Sequence, residues 1–328
     1  MIISKTPLRI SFFGGGTDYP DYFKQYGGAV LSTSINKYVY ISVNQISAIS
    51  EYKYKNTYSK VEQVQTIDEI IHPSVRECLR YMKINDGLEV HTISDLPAKT
   101  GLGSSSSFTV GLLNALHEYQ NTKRTALELA KEAIYVEQKL IGEKVGVQDQ
   151  SAAAVGGLNY FEFNTDESIS YKPVPISKER IVAFKNHMLL FYTGVQRFAE
   201  DVLKEQIEKT KTGEVKQDLA SIRKMVDKGY EILTSNSSLL EFGKLLDEAW
   251  KLKKNLSSSI SNNYLDEMYN TAINAGASGG KLLGAGGGGF FLFFADPSKH
   301  IEIRKALNQY QEIQFDFDND GSKIIFVH

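Results

Sequence analysis

Glycines and serines from Pro97 to Ser107, in the order PAKTGLGSSSS, have the composition of a loop that binds anions. Gly101 and Gly103 allow the backbone to turn its N–H groups inward, and the serines supply hydroxyls where an apolar-periodic segment begins. A helix that starts there adds partial positive charge from its dipole. The pattern therefore predicts a phosphate-binding turn supported by a helix.

Two commoner phosphate motifs do not fit this loop. A P-loop ends in Gly-Lys followed by Ser or Thr, whereas Lys99 precedes the glycines and Ser104 stands in the place of that lysine. The dinucleotide fingerprint needs a third glycine where Ser106 stands. The alternative for this segment is a serine-rich helix start that binds no ligand. Other segments of the sequence must distinguish between these two interpretations.

An acidic residue, Glu137, shares a predicted helix face with Leu127, Ala130, Ile134 and Ile141. Burying a carboxylate on such a face is costly without a cation, which makes Glu137 a candidate magnesium ligand. The alternative is a glutamate at the edge of the apolar stripe that reaches water.

Two further acids follow glycines. Asp149 stands among small and apolar residues before an alanine run, where it could orient and deprotonate an acceptor hydroxyl or cap a helix. Asp18 follows a glycine turn and a strand that carries Arg9. Its carboxylate could accept two hydrogen bonds from neighbouring sugar hydroxyls, with Arg9 holding the acid or a phosphate, or the segment could be a tight turn with an Asx cap.

A third glycine cluster, Gly279 to Gly289, formally contains GxGxxG. A dinucleotide site is excluded because the cluster precedes the apolar run Phe290 to Phe294 instead of following a strand and opening a helix. We expect these glycines to permit close backbone approach to a ligand or to another loop.

Composition narrows the class of protein. A net charge of -2 gives no basic field for nucleic acid or an anionic membrane, so we expect neither partner and favour a small ligand. A single cysteine, Cys78, excludes an internal disulfide framework, and no HExxH or cysteine pair offers a transition-metal site. With no long apolar run, we expect a soluble cytoplasmic protein. The sequence carries no signal for its oligomeric state.

A chain of 328 residues exceeds what one core usually supports, so we expect two domains, 1–182 and 183–328. In the first, strands mix with helices, and Thr125 and Glu128 form a capping box for a helix that runs to about residue 141. The second is strongly helical from 199 to 275, and strands at 188–192, 290–294 and 324–327 suggest helices over an antiparallel sheet. The predicted class is α+β.

These segments resemble the GHMP family of small-molecule kinases and occur in the family's order: residues 5–19, 97–107 and 281–289. The resemblance implies a ribosomal S5 domain 2-like N-terminal domain and a ferredoxin-like C-terminal domain, with ATP, Mg²⁺ and a small-molecule substrate between them. It implies that Asp149 is catalytic and stabilised by Arg9, and that Ser105 and Glu137 hold Mg²⁺. The ATP phosphates would be bound by Lys99, Gly101, Leu102, Gly103, Ser104, Ser105 and Ser106.

The same resemblance bears on the acceptor, for which Asp18 matches the acid that grips sugar hydroxyls. Galactokinases of the family carry Glu-His where this chain has Gly15 and Gly16, which disfavours galactose. The pattern is most similar to a subgroup that phosphorylates the anomeric hydroxyl of a heptose 7-phosphate for surface glycans. The implied substrate-binding residues are Gly15, Gly16, Thr17, Asp18, Arg197, Gly286 and Gly287, with Arg197 on the distal phosphate. A fucokinase-like or hexose kinase and a non-catalytic sensor of ATP and sugar are the alternatives.

Overall fold

Strands and helices alternate in the first half, as the sequence predicts, because period-two apolar runs are followed by amphipathic segments. The computed structural model describes residues 1–47, 49–195 and 199–328. The strands of this half are β1 Ile2–Phe13, β2 Gly28–Gln45, β3 Tyr54–Thr57, β4 Val61–Val64, β5 Leu88–Ser94, β6 Leu158–Phe163 and β7 Ile169–Pro173. The helices are α1 Pro20–Tyr26, α2 Pro73–Tyr81, α3 Ser104–Tyr119, α4 Ala126–Tyr135, α5 Gln148–Val155 and α6 Lys178–Asn186.

A nine-stranded sheet is built around the long strands β1 and β2. They pair antiparallel, from Ile2 opposite Val43 to Phe13 opposite Leu31. Strands β5 and β6 pair with different stretches of β2, and β3 adds to β5 as a parallel neighbour. Helices α3 and α5 pack on β1 and β2, which brings the starts of both helices close to β1.

Helix α4 begins at the predicted capping box. The Thr125 hydroxyl oxygen accepts a hydrogen bond from the Glu128 backbone N–H at 3.3 Å, and the Glu128 carboxylate accepts one from the Thr125 backbone N–H at 2.7 Å. The helical path continues as a π-helical turn, Val136–Ile141, and stops at Gly142. Such turns are frequent at functional sites because they redirect side chains, and Glu137 lies in this one.

The second half contains a four-stranded antiparallel sheet in the order β11, β8, β10, β9, with helices packed against it. Its strands are β8 Met188–Tyr192, β9 Gly279–Leu282, β10 Phe290–Phe294 and β11 Gln311–Glu312. The helices are α7 Ala199–Thr212, α8 Lys216–Thr234, α9 Leu240–Asn255, α10 Asn263–Asn274 and α11 His300–Ala306. Within the described ranges, no helix has both the length and the apolar character needed to cross a bilayer.

The last two strands, β12 Phe317–Asp318 and β13 Lys323–Val327, return to the large sheet. β13 pairs with β1, with Ile2 opposite Val327, and β12 pairs with β2. The expectation that residues 324–327 close the second sheet is therefore wrong, because an apolar run predicts a strand but does not name its partner. We propose that the two sheets belong to two domains that divide near residue 182. The final strands, β12 and β13, return from the second domain to the sheet of the first.

A cluster of phenylalanines joins the two sheets. The ring centroid of Phe242, on α9, lies 5.4 Å from the ring centroid of Phe12 and 4.9 Å from that of Phe13, both on β1. It also lies 4.8 Å from Phe184 on α6 and 5.6 Å from Phe294 on β10. Phe242 thus packs against the large sheet and the small sheet at once, so the relative position of the two halves depends on it.

Replacing Phe242 with alanine should lower the free energy of unfolding by about 3–5 kcal/mol, because it leaves a cavity among four buried rings. Urea denaturation followed by circular dichroism measures the change. F326A, on the exposed β13, is the matched control and should change the same quantity by less than about 0.5 kcal/mol. Equal losses for both variants would contradict the bridging role.

Candidate active site

A cleft of about 1270 Å³ opens where β1 ends and where α3 and α5 begin, and residues of the second half line its other side. Polar side chains and glycines make up much of its wall, as expected of a site for a charged ligand. The predicted site residues that line it are Arg9, Gly15, Gly16, Asp18, Lys99, Gly101, Gly103, Ser104, Ser105, Ser106, Glu137, Asp149 and Gly286.

Three predicted ligand-binding residues, Leu102, Thr17 and Gly287, are not among the residues that line the cleft. The Leu102 side chain is buried in the core, so that residue can offer a ligand only its backbone. The Thr17 hydroxyl is buried and donates to a carbonyl of its own turn at 2.8 Å. The Gly287 N–H donates to the carbonyl of Ile260 at 2.9 Å. Arg197 lies outside the described residues.

The glycine loop has the backbone that the sequence predicts. Gly101 and Gly103 have φ angles of 82° and 77°, in the left-handed region where side chains are disfavoured. Gly103 precedes the first residue of α3 and has no side chain to cap it, which leaves the N–H groups of the first turn for a ligand or solvent. A helix N-terminus with this opening favours an anion.

Arg9 connects this loop to Asp149. Its Nε and Nη2 each donate to a carboxylate oxygen of Asp149 at 2.8 Å, and its Nη1 donates to the carbonyl oxygen of Gly101 at 2.6 Å. The Arg9 side chain is 3% exposed and that of Asp149 27%, so a two-point ion pair sits at the cleft wall with its acid still accessible. The Asp149 carboxylate makes no helix cap, so the capping alternative is wrong.

Asp18 is buried beside this pair. Its Oδ1 accepts the N–H of Gly16 at 2.9 Å, and its Oδ2 accepts the N–H of Gln148 at 3.4 Å. A Cβ at Gly146 would lie 1.9 Å from that Oδ2, so the chain before α5 reaches Asp18 only because it is glycine there. Burial raises the pKa of Asp18 to about 6, opposed by the Gly16 bond and reinforced by the negative charge of Asp149.

Glu137 is also buried, with 1% of its surface exposed, so the expectation of an edge glutamate in water is wrong. Its Oε2 accepts the Ser106 hydroxyl at 3.0 Å and a hydrogen bond from the Gln150 amide. Its Oε1 is buried and has no hydrogen-bond partner within the described part of the chain. Burial raises the pKa of Glu137 to about 7. Such a carboxylate is suited to a cation.

The serine hydroxyl that contacts Glu137 is that of Ser106. Ser105 is exposed on the first turn of α3, where it lines the cleft. The two positions are separated by about 100° of helical rotation, so one residue decides which hydroxyl faces the acid. Two ligands of one ion need not contact each other, so the prediction that Ser105 and Glu137 both hold Mg²⁺ stays a prediction, and Ser106 joins them on the cleft wall.

Two buried lysines that sequence reasoning did not identify come from the second half, and one of them, Lys253, lines the cleft. Lys281 donates to the carbonyl oxygens of Ser11 and Phe12 at 2.9 Å each, and burial lowers its pKa well below the usual range. Lys253, on α9, is 9% exposed and lines the cleft. Its spacing from Phe242, Leu246 and Trp250 places it on the apolar face of the helix. A lysine at such a position is unusual, and this pattern in the sequence could have identified Lys253 as a candidate.

The third glycine cluster packs on the first loop. A Cβ at Gly284 would lie 2.4 Å from the Cα of Gly101, and a Cβ at Gly289 would lie 2.3 Å from the carbonyl oxygen of Thr100. Of the two uses predicted for these glycines, approach to another loop is confirmed. Gly284 and Gly286 also line the cleft, so the cluster supports the loop and forms part of the wall.

The chain matches two family descriptions: GHMP kinases N terminal domain over residues 70–157 and GHMP kinases C terminal over residues 230–313. It belongs to the GHMP kinase family and has the α+β fold of that family. It is therefore an enzyme, a phosphotransferase that uses ATP and has an alcohol group as acceptor.

Among its relatives is D-glycero-alpha-D-manno-heptose 7-phosphate kinase of Campylobacter jejuni, 31% identical, with 98% of each chain covered. A crystal structure of a D-glycero-D-manno-heptose 1-phosphate kinase from Bacteroides thetaiotaomicron superimposes with a TM-score of 0.80 at 25% identity, over 100% of each chain. Galactokinase of Pyrococcus furiosus is 26% identical over 93% of this chain and 92% of its own.

The E137Q variant should change how stability depends on pH. Burial raises the folded-state pKa of Glu137 from 4.5 to about 7. The protonated carboxyl therefore contributes to the free energy of unfolding in full below pH 4.5, and this contribution is lost as the pH rises through 7. Relative to E137Q, the ligand-free wild type should lose about 3 kcal/mol of unfolding free energy over that interval. Urea denaturation across the pH range measures the difference.

The surface variant E241Q serves as the control, because Glu241 is exposed on α9, and its curve should run parallel to the wild type. Asp18 also has a raised pKa, but it is present in all three proteins and cancels. Superimposable pH curves for wild type and E137Q would show that Glu137 does not titrate as argued.

Proposed function

We propose that this kinase transfers the γ-phosphoryl group of ATP to the anomeric C1 hydroxyl of D-glycero-D-manno-heptose 7-phosphate, giving the 1,7-bisphosphate for nucleotide-activated heptose and surface glycans. The observation that carries the proposal is the Arg9 link between Asp149 and the carbonyl of Gly101, at 2.8 Å and 2.6 Å. Similarity to the Campylobacter jejuni enzyme supports this choice of sugar. Such a reaction would take place in the cytoplasm, where ATP and sugar phosphates are available.

The chain's own residues account for the proposed steps. Backbone N–H groups from Gly101 to Ser106 would bind the ATP phosphates, with Lys99 beside them. The accessible carboxylate of Asp149 would accept a hydrogen bond from the C1 hydroxyl and orient it for attack. The Asp149 carboxylate accepts two hydrogen bonds from Arg9, so we assign Asp149 mainly to positioning and charge stabilisation.

Mg²⁺ fits the residues around Glu137. Magnesium is usually held by one or two carboxylates together with substrate phosphates, and Glu137 offers a buried oxygen without a partner among the described residues. Hydroxyls at the start of α3, from Ser105 and Ser106, are the other candidate ligands. When bound, the ion would neutralise charge between the β and γ phosphates. No group of three His, Cys, Asp or Glu residues in the described ranges forms a metal site without ATP.

The sugar would lie against Gly15, Gly16 and Asp18, where the buried carboxylate accepts hydrogen bonds from neighbouring hydroxyls. For the distal phosphate we keep Arg197, which the described residues do not include. The base of ATP has a separate candidate location: Tyr58, His72 and Phe108 line the cleft, and the His72 ring stacks on Phe108 with centroids 4.8 Å apart.

Replacing Asp149 with asparagine should reduce kcat by about 10²–10⁴-fold and leave the Kd for ATP within about twofold, because the acid acts on the acceptor hydroxyl and not on the nucleotide. A coupled ADP-release assay and isothermal titration calorimetry measure the two quantities. D166N, at an exposed turn, is the control and should behave as wild type. Parent-like turnover by D149N would remove its catalytic role.

The substrate is tested by mass detection of product after incubation with ATP, Mg²⁺ and a panel of sugars. The panel contains heptose 7-phosphate, heptose 1-phosphate, fucose, galactose and mannose, because the names of the two heptose kinases place the phosphate at different positions. A bisphosphate formed selectively from heptose 7-phosphate supports the proposal. Equal rates with unphosphorylated sugars would favour a fucokinase-like or hexose kinase, and no turnover of any sugar would favour a sensor.

A further inference from the structure

The ammonium group of Lys253 is inserted into the cleft from the second half. It donates to the carbonyl oxygen of Leu282 at 3.5 Å and to that of Gly284. A lysine ammonium has three N–H donors, and these two carbonyls are its hydrogen-bond acceptors within the described part of the chain. One donor therefore remains for a molecule in the cleft that Lys253 lines.

The charges around Lys253 distinguish it from Arg9. Arg9 commits its guanidinium to Asp149 and Gly101, so it holds protein groups together. Lys253 has no carboxylate within bonding distance among the described residues, although Asp18 and Asp149 are close enough to attract it. Burial and the positive charge of Arg9 lower its pKa to about 8, so the group is still mostly protonated at neutral pH.

The segment that follows Lys253 lies beside the turn that carries Asp18. Leu256, three residues further on, would lie 3.6 Å from a Cβ at Gly16, and the Gln206 amide nitrogen would lie 3.1 Å from the same atom. The N–H of Gly16 is the group that bonds to Asp18. The end of α9 therefore packs against the turn that presents the buried carboxylate.

We propose that Lys253 and Asp18 bind neighbouring oxygen atoms of the sugar as a pair, with Lys253 as the donor and Asp18 as the acceptor. A sugar hydroxyl both donates and accepts, whereas an ammonium only donates and an ionised carboxylate only accepts. Two adjacent sugar oxygens satisfy both groups, one by accepting from Lys253 and the other by donating to Asp18. The inference rests on the proposed function and adds a substrate-binding residue to it.

A purely structural role is the competing explanation, since Lys253 also holds two carbonyls of the third glycine cluster. K253M removes the charge and the donors and keeps most of the apolar stem. Lys254 is the matched control, because it is the next residue on the same helix and donates to Asp266 at 3.0 Å on the surface. The KM for heptose 7-phosphate, the KM for ATP and the melting temperature are measured for K253M, K254M and wild type.

The pair predicts that K253M raises the sugar KM by about tenfold or more, since a lost charged hydrogen bond has that effect, with the KM for ATP within about twofold. K254M should match wild type in all three readouts. The double variant D18N/K253M should raise the sugar KM by less than the product of the single effects, because both groups bind one ligand.

An unchanged sugar KM in K253M overturns the inference, as does a rise in both KM values together with a lower melting temperature. If K253M does not fold, K253Q keeps a donor for the carbonyls without the charge, and the same readouts decide. When wild type prefers another sugar in the panel, the substrate proposal fails, and the variants are measured with that sugar. Wild type that turns over no sugar overturns both proposals.

Discussion

The guanidinium of Arg9 is the contact on which the cleft depends. It bonds to Gly101 and Asp149, which are 92 and 140 residues away along the chain, and it fixes the glycine loop and the acid relative to β1. A buried guanidinium without its carboxylate is unfavourable, so the ion pair stabilises the position of Asp149 against Arg9. The glycine loop and Asp149 are therefore held in position by the folded protein itself, as the proposed phosphoryl transfer would require.

Burial has opposite effects on the pKa values of the buried acids and of the buried lysines in and behind the cleft wall. It raises the pKa values of Asp18 and Glu137 and lowers those of Lys253 and Lys281. One physical cause explains both directions, because a low-dielectric wall disfavours any isolated charge. A bound nucleotide would bring negative charge to the lysines, and a bound cation would bring positive charge to the acids. Titratable groups with shifted pKa values are for this reason frequent at functional sites.

Glycine is required where segments that are far apart along the chain come into contact. Gly284 packs on Gly101 and Gly146 packs on Asp18, at separations that no Cβ could tolerate. These contacts explain why glycine-rich segments far apart in the sequence belong to one site. They also give a use to the formal GxGxxG at 284–289: its glycines serve loop packing before the strand β10.

The sequence alone determined the local structure and the candidate chemistry: the anion-binding loop before α3, the capping box at Thr125 and the acids Asp18, Glu137 and Asp149. These depend on backbone preferences and helical periodicity, which are local properties. Tertiary structure decided which groups meet. It directed β13 to the large sheet, placed the Ser106 hydroxyl against Glu137, buried Thr17 and brought Lys253 to the cleft wall. Such pairings depend on contacts between residues that are far apart in the chain, and the periodicity of a segment does not determine which distant residues it contacts.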